Sequence, residues 1–341
     1  MELANVWFVL WGILWAVFFT TDGFDFGAGM LHTILGGRES ERRAMLNAVG
    51  PVWDGNQVWL ITAGGATFAA FPTTYALMFS YLYTPLLLLL FSLILRGVAI
   101  EFRNKNETKW WTGLWDYTLV ISNLLLALLF GVAFGNIFAG LPMDADGYHG
   151  SLLGMLNAYG LLTGILFVLL FAMHGALFIA IKTDGELSQR AGRLADRIWF
   201  GGLGVAVAFL ILTWLQTGLK ENYIAYPLWS IIPAVAVLSL AAVKYFSVQK
   251  RYVQSFIASC TTIFTVVITA IVGLYPNLIP SSIDPAYSLS ISRTASSPYT
   301  LAVMTSVAAI FVPIVIGYQV WVHRLFRTRL DSESTAERSV Y

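Results

Sequence analysis

Residues 152–181 read LLGMLNAYGLLTGILFVLLFAMHGALFIAI, a stretch without a single Asp, Glu, Lys or Arg. A helix needs about 20 apolar residues to cross a bilayer, because its backbone polar groups must be satisfied within the segment itself. Similar stretches recur along the chain and predict an all-α, polytopic membrane protein of about nine transmembrane helices. The predicted spans are residues 6–35, 51–71, 74–96, 115–139, 152–181, 198–217, 228–246, 253–275 and 299–323.

The composition supports a membrane location and argues against nucleic acid as a partner. Charged residues make up 11% of the chain and hydrophobic residues 57%, whereas soluble domains carry about 25% charged residues. The 20 Lys and Arg nearly cancel the 19 Asp and Glu, so no basic field attracts nucleic acid. The first apolar stretch has no basic leader or cleavage site, which predicts a retained anchor. Cys260 is the only cysteine and excludes an intrachain disulfide.

The basic residues predict an orientation in the membrane. All of them except Lys220 and Arg293 fall in the C-terminal tail or after the first, third, fifth and seventh predicted spans. Short cytoplasmic loops are enriched in Lys and Arg. We therefore expect the N-terminus outside and the tail, residues 324–341, in the cytoplasm.

A weak internal repeat suggests two halves. When Gly12 to Phe26 is aligned with Gly164 to Phe178, six of fifteen positions are identical. Chance is one explanation, since apolar sequences match easily. The other is a single membrane domain built from two four-helix bundles, residues 1–139 and 152–275, with a ninth helix at 299–323.

Two carboxylates lie within the first predicted helix. Asp22 and Asp25 are three residues apart and so share one helical face. An ionised carboxylate inside the apolar slab costs at least about 2.5 kcal/mol. The pair must therefore face protein or water, be paired with a cation, or be protonated.

Further charged residues occur near the same end of the second and third helices. Asp54 follows Trp53 at the start of the second span, and Arg96 and Glu101 lie at the end of the third. One interpretation is a hydrated proton path from the cytoplasm. The other is a static network in which Arg96 neutralises one or two acids. Trp53 is either an interfacial anchor or a contact for a flat apolar partner such as a quinone ring.

Histidines are scarce for a haem protein. Of four, only His174 lies in the middle of a predicted span, and a lone buried histidine is usually a hydrogen-bonded structural group. Haem ligation commonly needs paired His or His with Met. No zinc spacing, phosphate-binding loop or nucleophile elbow occurs, so we predict no metal ligands in this chain.

Several motifs resemble subunit II of the cytochrome bd ubiquinol oxidases. They are Thr21-Asp22-Gly23-Phe24-Asp25-Phe26-Gly27, Trp53-Asp54-Gly55-Asn56-Gln57-Val58-Trp59-Leu60, Thr62-Ala63-Gly64-Gly65-Ala66-Thr67-Phe68-Ala69-Ala70, Arg96 with Glu101 and Arg103, Gly131-Val132-Ala133-Phe134-Gly135-Asn136 and Asp184-Gly185-Glu186. The resemblance extends over the first 200 residues, and beyond them only the helix count fits.

The resemblance implies a role in a bacterial or archaeal cytoplasmic membrane. It implies a heterodimer with a subunit I that holds haem b and haem d, oxidises quinol and reduces dioxygen to water. Lipids and, in some members, a small single-helix accessory subunit are further expected partners.

Site residues follow from the same resemblance. A proton path would use Asp25, Asp54 and Glu101, with Asp22 and Arg96 beside it, and Trp53 would contact a structural quinone. Glu101 stands where some relatives have aspartate. His174 stands where others have glutamine, so it receives no role.

Two other functions fit parts of the pattern. An ion-coupled secondary transporter also combines repeats with buried carboxylates, although carrier sites usually lie near the midplane rather than at one face. A purely structural scaffold differs from the oxidase subunit only in whether acid substitutions alter turnover.

Overall fold

The structure is a computed structural model that describes residues 2–326 and 328–330. Its helices are α1 Glu2–Met30, α2 His32–Leu35, α3 Glu39–Val49, α4 Trp53–Ala70, α5 Pro72–Tyr81, α6 Tyr83–Phe102, α7 Lys109–Ala139, α8 Ala158–Lys182, α9 Gly185–Gln216, α10 Lys220–Ala225, α11 Ile231–Val248, α12 Tyr252–Leu274, α13 Ile291–Thr294 and α14 Pro298–Leu325. Short strands form two antiparallel pairs, β1 Met143–Asp144 with β2 Gly147–Tyr148 and β3 Asn277–Ile279 with β4 Leu289–Ser290. The all-α, polytopic prediction is confirmed.

Eight helices of the described chain are long and apolar enough to cross a membrane. The remaining predicted span is α4, whose 18 residues extend about 27 Å but begin with a polar turn. This helix lies antiparallel along α1. Trp11 Nε1 donates to Thr67 Oγ1 at 2.9 Å near one end, and Asn56 Nδ2 donates to Asp25 Oδ2 at 2.8 Å near the other. The helix α4 thus runs beside the stretch of α1 from Trp11 to Asp25, which lies inside the first predicted span.

The predicted third span, residues 74–96, has the wrong boundaries. The chain forms two helices there, α5 and α6, which meet at Leu82. Pro85 lacks the N–H that would bond the Tyr81 carbonyl in a continuous helix, which explains the break. Helix α6 then continues to Phe102, so Arg96 and Glu101 lie within the helix rather than beyond its end.

Helix α1 is central, and it contacts α4, α7, α8 and α12. It runs parallel to α8, as shown by ring centroids 5.1 Å apart for Phe19 and Phe167 and 4.2 Å apart for Phe24 and Phe178. A side chain on Gly27 would overlap the α8 backbone at Phe171. This glycine therefore allows close backbone approach, as small residues do in membrane bundles. The division into two four-helix bundles remains a prediction.

The ends of the chain are less informative. The predicted cytoplasmic tail, residues 324–341, lies mostly outside the described residues. Within the described part, Leu330 N donates to the Lys182 carbonyl at 2.8 Å, which ties the chain after α14 to the end of α8.

Candidate functional site

A buried ion pair joins α1 to α6. The Arg96 guanidinium donates two hydrogen bonds to the Asp22 carboxylate, Nη1 to Oδ2 at 2.9 Å and Nη2 to Oδ1 at 2.5 Å. Both residues are 0% exposed. This bidentate geometry is the strongest form of an arginine–carboxylate pair, and it neutralises Asp22 inside the apolar bundle.

Asp25 lies beside this pair but is less completely satisfied. Its Oδ2 accepts from Asn56 Nδ2 at 2.8 Å and lies 4.0 Å from Arg96 Nη2. Its Oδ1 is buried and has no hydrogen-bond partner among the described residues. The cluster thus contains two carboxylates and one guanidinium, which leaves one carboxyl group available to hold or release a proton.

Aromatic rings cover the arginine. The Arg96 guanidinium carbon lies 4.7 Å from the centre of the Phe26 ring and 5.7 Å from that of Trp53. Such cation–π contacts stabilise a desolvated guanidinium. Gly97 is in contact with the Trp53 indole, since a side chain there would begin 3.3 Å from its Cη2. Trp53 is thus part of the cover over the ion pair.

A small cavity adjoins Asp25. Its volume is about 10 Å³, and its lining includes Asp25, Arg96, His32, Asn123 and Ile100. This volume holds about one water molecule. Asn123 Oδ1 is a second buried oxygen without a partner among the described residues. A bound water would have at least two unpaired oxygens to satisfy.

The structure does not bring every predicted site residue into this cluster. Asp22, Asp25, Arg96 and Trp53 meet, as described above. Asp54 and Glu101 are both exposed on the surface of this chain. Each is nevertheless close in sequence to the cluster, because Asp54 precedes Asn56 by two positions on α4. Glu101 follows Ile100, which lines the cavity, on α6.

A second charged network lies just beyond the cavity, and the sequence analysis missed it. Asp116 on α7 accepts from Arg103 Nε at 2.6 Å and from Arg42 Nη1 at 2.8 Å, and it lies 2.7 Å from His32 Nε2. Arg103 also donates to both oxygens of Glu39, at 2.7 and 2.8 Å. These partners are far apart in sequence, so only the presence of Arg103 in the family motif could have hinted at the network.

The same network changes the proton affinity of its members outside the spans. The hydrogen bonds from Arg103 hold the pKa of Glu39 below its ordinary value. Burial lowers the pKa of His32, against the opposing effect of Asp116. The network is therefore built to keep Glu39 ionised at neutral pH.

His174 is a hydrogen-bonded residue of the core. Its Nδ1 lies 2.6 Å from Ser259 Oγ, and its Nε2 lies 3.1 Å from the Thr20 carbonyl. The imidazole stacks on Phe256 with ring centroids 4.6 Å apart. Both ring nitrogens are thus occupied by contacts between helices.

Comparison with known proteins places this geometry in a family. The model of the family described as cytochrome bd terminal oxidase subunit II matches residues 3–326. The chain is 39% identical over 334 residues to cytochrome bd ubiquinol oxidase subunit 2 of Bacillus subtilis (strain 168), covering 97% of each chain. It is 35% identical over 364 residues to cytochrome bd-I ubiquinol oxidase subunit 2 of Escherichia coli (strain K12), covering 97% of this chain and 96% of the relative.

A solved structure supports the fold. A chain of the bd oxidase from Geobacillus thermodenitrificans superposes with a TM-score of 0.74, at 18% identity, over 96% of this chain and 99% of that one. The family match and the two relatives confirm the resemblance that the sequence motifs indicated. The chain belongs to the cytochrome bd terminal oxidase subunit II family.

Proposed function

We propose that this chain, as subunit II of a cytochrome bd quinol oxidase, conducts protons to the site of dioxygen reduction in its partner, subunit I. The observation that carries the proposal is the buried Asp25 side chain, whose Oδ1 has no hydrogen-bond partner among the described residues and which lines a cavity the size of a water molecule. Buried polar atoms are normally hydrogen-bonded, and ionisable groups within the membrane commonly mark proton relays.

The Arg96–Asp22 pair sets the charge around the relay. Because these two groups neutralise each other, Asp25 is the carboxyl group whose protonation changes the net charge of the cluster. Asn56 holds one carboxylate oxygen in place, so the other oxygen is the one that exchanges a proton with water. Asp25 therefore takes up and releases a proton without disturbing the ion pair.

Asp54 and Glu101 are the proposed entry points. Both carboxylates are exposed at the end of the bundle where Asp25 lies, and charged groups at this depth face headgroup water or protein rather than lipid. Protons pass from these residues to water near Asn56 and Ile100, and then to Asp25. This order also requires that the end carrying Asp25 face the cytoplasm, as the basic residues predict.

We further propose that haem b and haem d are held by subunit I alone. Of the two buried histidines of this chain, His174 uses both ring nitrogens in contacts with Ser259 and Thr20, and His32 uses Nε2 in its contact with Asp116. Ligation of iron by these nitrogens would require breaking these contacts. The chemistry supplied by the haems is electron transfer and dioxygen reduction, and no side chain of subunit II is needed to carry electrons.

A structural quinone fits a groove better than it fits Trp53. Trp53 is half-buried against Arg96 and Gly97, and its contact with a quinone rests on the family resemblance. An apolar groove of about 570 Å³ lies between α4, α5 and α6, within the usual volume of ligand pockets. Its wall includes Trp15, whose buried Nε1 has no acceptor among the described residues. A quinone carbonyl could accept this hydrogen bond.

The exposed surface of α14 is the basis on which we propose the remaining partners. In α14 only Leu301 is buried, so this apolar helix offers nearly its whole surface to subunit I, to a small single-helix accessory subunit or to lipid. We place the assembly in the cytoplasmic membrane of a bacterium, because the described chain has eight apolar helices long enough to cross a membrane and both relatives come from bacteria.

The test measures quinol-driven oxygen consumption in the complete two-subunit oxidase. Asp25→Asn is expected to lower turnover about a hundredfold, the scale of a lost proton-transfer group, while quinol still reduces the haems. Asp54→Asn and Glu101→Gln should slow turnover less, because each removes one of two entries. Glu107→Gln, an 83% exposed carboxylate paired with Arg43, is the matched control. Normal turnover in Asp25→Asn with full haem content would refute the proton path.

A further inference from the structure

A deep apolar cavity lies in the second half of the chain, away from the acidic cluster. It has a volume of about 330 Å³ and is enclosed by α8, α9, α11 and α12. Its walls include Leu166 and Leu170 on α8, Leu210 on α9 and Leu240 on α11. The volume is within the range of small-ligand sites. A bound molecule therefore explains the cavity more simply than imperfect packing does.

The polar groups inside the cavity are already satisfied by the protein. Tyr223 donates its hydroxyl to the Thr269 carbonyl at 2.6 Å, and Thr262 donates to the Ala258 carbonyl at 2.9 Å. Thr213 is hydrogen-bonded to Tyr159 at 2.7 Å. The described lining of the interior therefore presents mainly hydrocarbon and no free hydroxyl donor, and a ligand carbonyl at this depth would stay unpaired.

The mouth of the cavity is different, because it is rimmed by Lys220 and Ser230. Lys220 Nζ donates to the Trp214 carbonyl at 2.8 Å, which uses one of its three N–H groups. The described chain contains no ion pair for Lys220. Its ammonium group is thus free to bind an anion just above an apolar chamber.

The mouth of the cavity, with Lys220, lies at the end of the bundle that carries few basic residues. Lys220 follows α9, whose last turns lie beside the start of α8, where Tyr159 contacts Thr213. Because α1 and α8 run parallel, this is the opposite end of the bundle from Asp25. Lys220 and Arg293 are the only basic residues that the sequence assigns to this end. Arg293 bonds the Ala286 carbonyl instead and does not line the cavity.

We propose that this cavity binds one anionic phospholipid, with an acyl chain inside and the phosphate on Lys220. The exposed side chains of Leu210 and Trp214 form a side wall on the surface of the bundle through which a chain can enter from the bilayer. A lipid satisfies both features at once, since the chain fills the hydrocarbon interior while the headgroup stays at the interface with the ammonium group. The site is independent of the proton path.

An uncharged isoprenoid is the main competing occupant. A quinone would place its tail in the apolar interior and accept a hydrogen bond from Lys220 at the mouth, but it carries no negative charge, and Lys220→Gln keeps an N–H donor while it removes the charge. Removing the charge without changing the cavity therefore separates the two ligands.

The experiment reconstitutes the two-subunit oxidase into nanodiscs of equal parts phosphatidylglycerol and phosphatidylcholine, then measures lipid retained after detergent extraction by native mass spectrometry. Wild type and the control Arg293→Gln should keep one phosphatidylglycerol. Lys220→Gln should weaken its retention about fivefold, equivalent to about 1 kcal/mol. Ala206→Phe, which fills part of the cavity, should remove it.

Three outcomes would overturn the proposal. Equal phosphatidylglycerol retention in all four proteins would show that the cavity holds no such lipid. Loss of a co-purified quinone in Ala206→Phe but not in Lys220→Gln would assign the cavity to an uncharged isoprenoid. Phosphatidylcholine retained at the same level as phosphatidylglycerol in wild type would contradict the role of the charge.

Discussion

At the scale of single residues, the Arg96–Asp22 pair is the costliest feature of the bundle to disturb. Both side chains are fully buried and hydrogen-bonded to each other. Removing one partner leaves an uncompensated charge in a low-dielectric environment, which typically destabilises a protein by 3–5 kcal/mol, whereas removing both is far milder. The cost of burying each of the two side chains is therefore offset only while the other is present.

Because each side chain of the ion pair depends on the other, we expect single and double variants to differ in stability. Arg96→Gln should lower the thermal stability of the purified oxidase by about 3–5 kcal/mol, and the double variant Asp22→Asn with Arg96→Gln should recover most of that loss. Scanning fluorimetry in detergent measures the effect. Glu107→Gln, which removes an 83% exposed carboxylate paired with Arg43 at 3.3 Å, is the control and should change stability little. A double variant as unstable as Arg96→Gln would contradict the pairing.

The sequence predicted the inner residues of the site better than the outer ones. The cost of burying Asp22 and Asp25 made a paired cation one of the expected solutions, and Arg96 was the basic residue at the right depth. Asp54 and Glu101 proved exposed because depth in a span does not fix which side of a helix a residue faces. The Asp116 network escaped prediction, since its contacts join residues 74 and 84 positions apart.

At the scale of helices, the crossing of α1 and α8 depends on glycine. Side chains at Gly27 and Gly175 would each overlap the backbone of the other helix. Without a strong hydrophobic drive between helices in lipid, such close contact is a main source of association. These two glycines thus set the distance between the helices that carry Asp25 and His174.

Adding a methyl group at Gly27 tests the close contact between α1 and α8. Gly27→Ala should force α1 and α8 apart and sharply reduce the yield of assembled, haem-containing oxidase, which the absorbance of purified membranes measures. Overpacking of this kind typically costs about 1–3 kcal/mol. Gly204→Ala is the control, because nothing lies within 4 Å of a side chain there. Equal yields of the two variants would show that the helices do not approach as closely as described.

Helix boundaries show what apolar patterns can and cannot predict. Length and hydropathy located the spans, because the bilayer demands a minimum apolar length. They missed the break at Leu82, which depends on one proline. They also missed the start of α9 at Gly185, since the first turns of that helix extend beyond the apolar stretch and are charged.

At the scale of the whole molecule, the two ends of the bundle differ in chemistry. One end holds Asp25, the ion pair with Arg96 and the network around Asp116. The other holds the small strand pairs and the mouth rimmed by Lys220. The proposed proton path requires such a difference between the two ends, because its protons enter from one side of the membrane only. The direction of the proposed proton path therefore depends on which end faces the cytoplasm.

The orientation can be measured directly with cysteines on either side of α7. Glu107 precedes this helix and Asp146 follows it, and both are exposed. In a Cys260→Ala background, a membrane-impermeant maleimide applied to spheroplasts should label Asp146→Cys at once. Glu107→Cys should react only after the membrane is opened, because the excess of Lys and Arg at that end predicts a cytoplasmic location. The reverse pattern would place Asp25 on the external side, so that Asp54 and Glu101 could not admit cytoplasmic protons. Labelling of both cysteines in sealed spheroplasts would instead show that α7 does not cross the membrane.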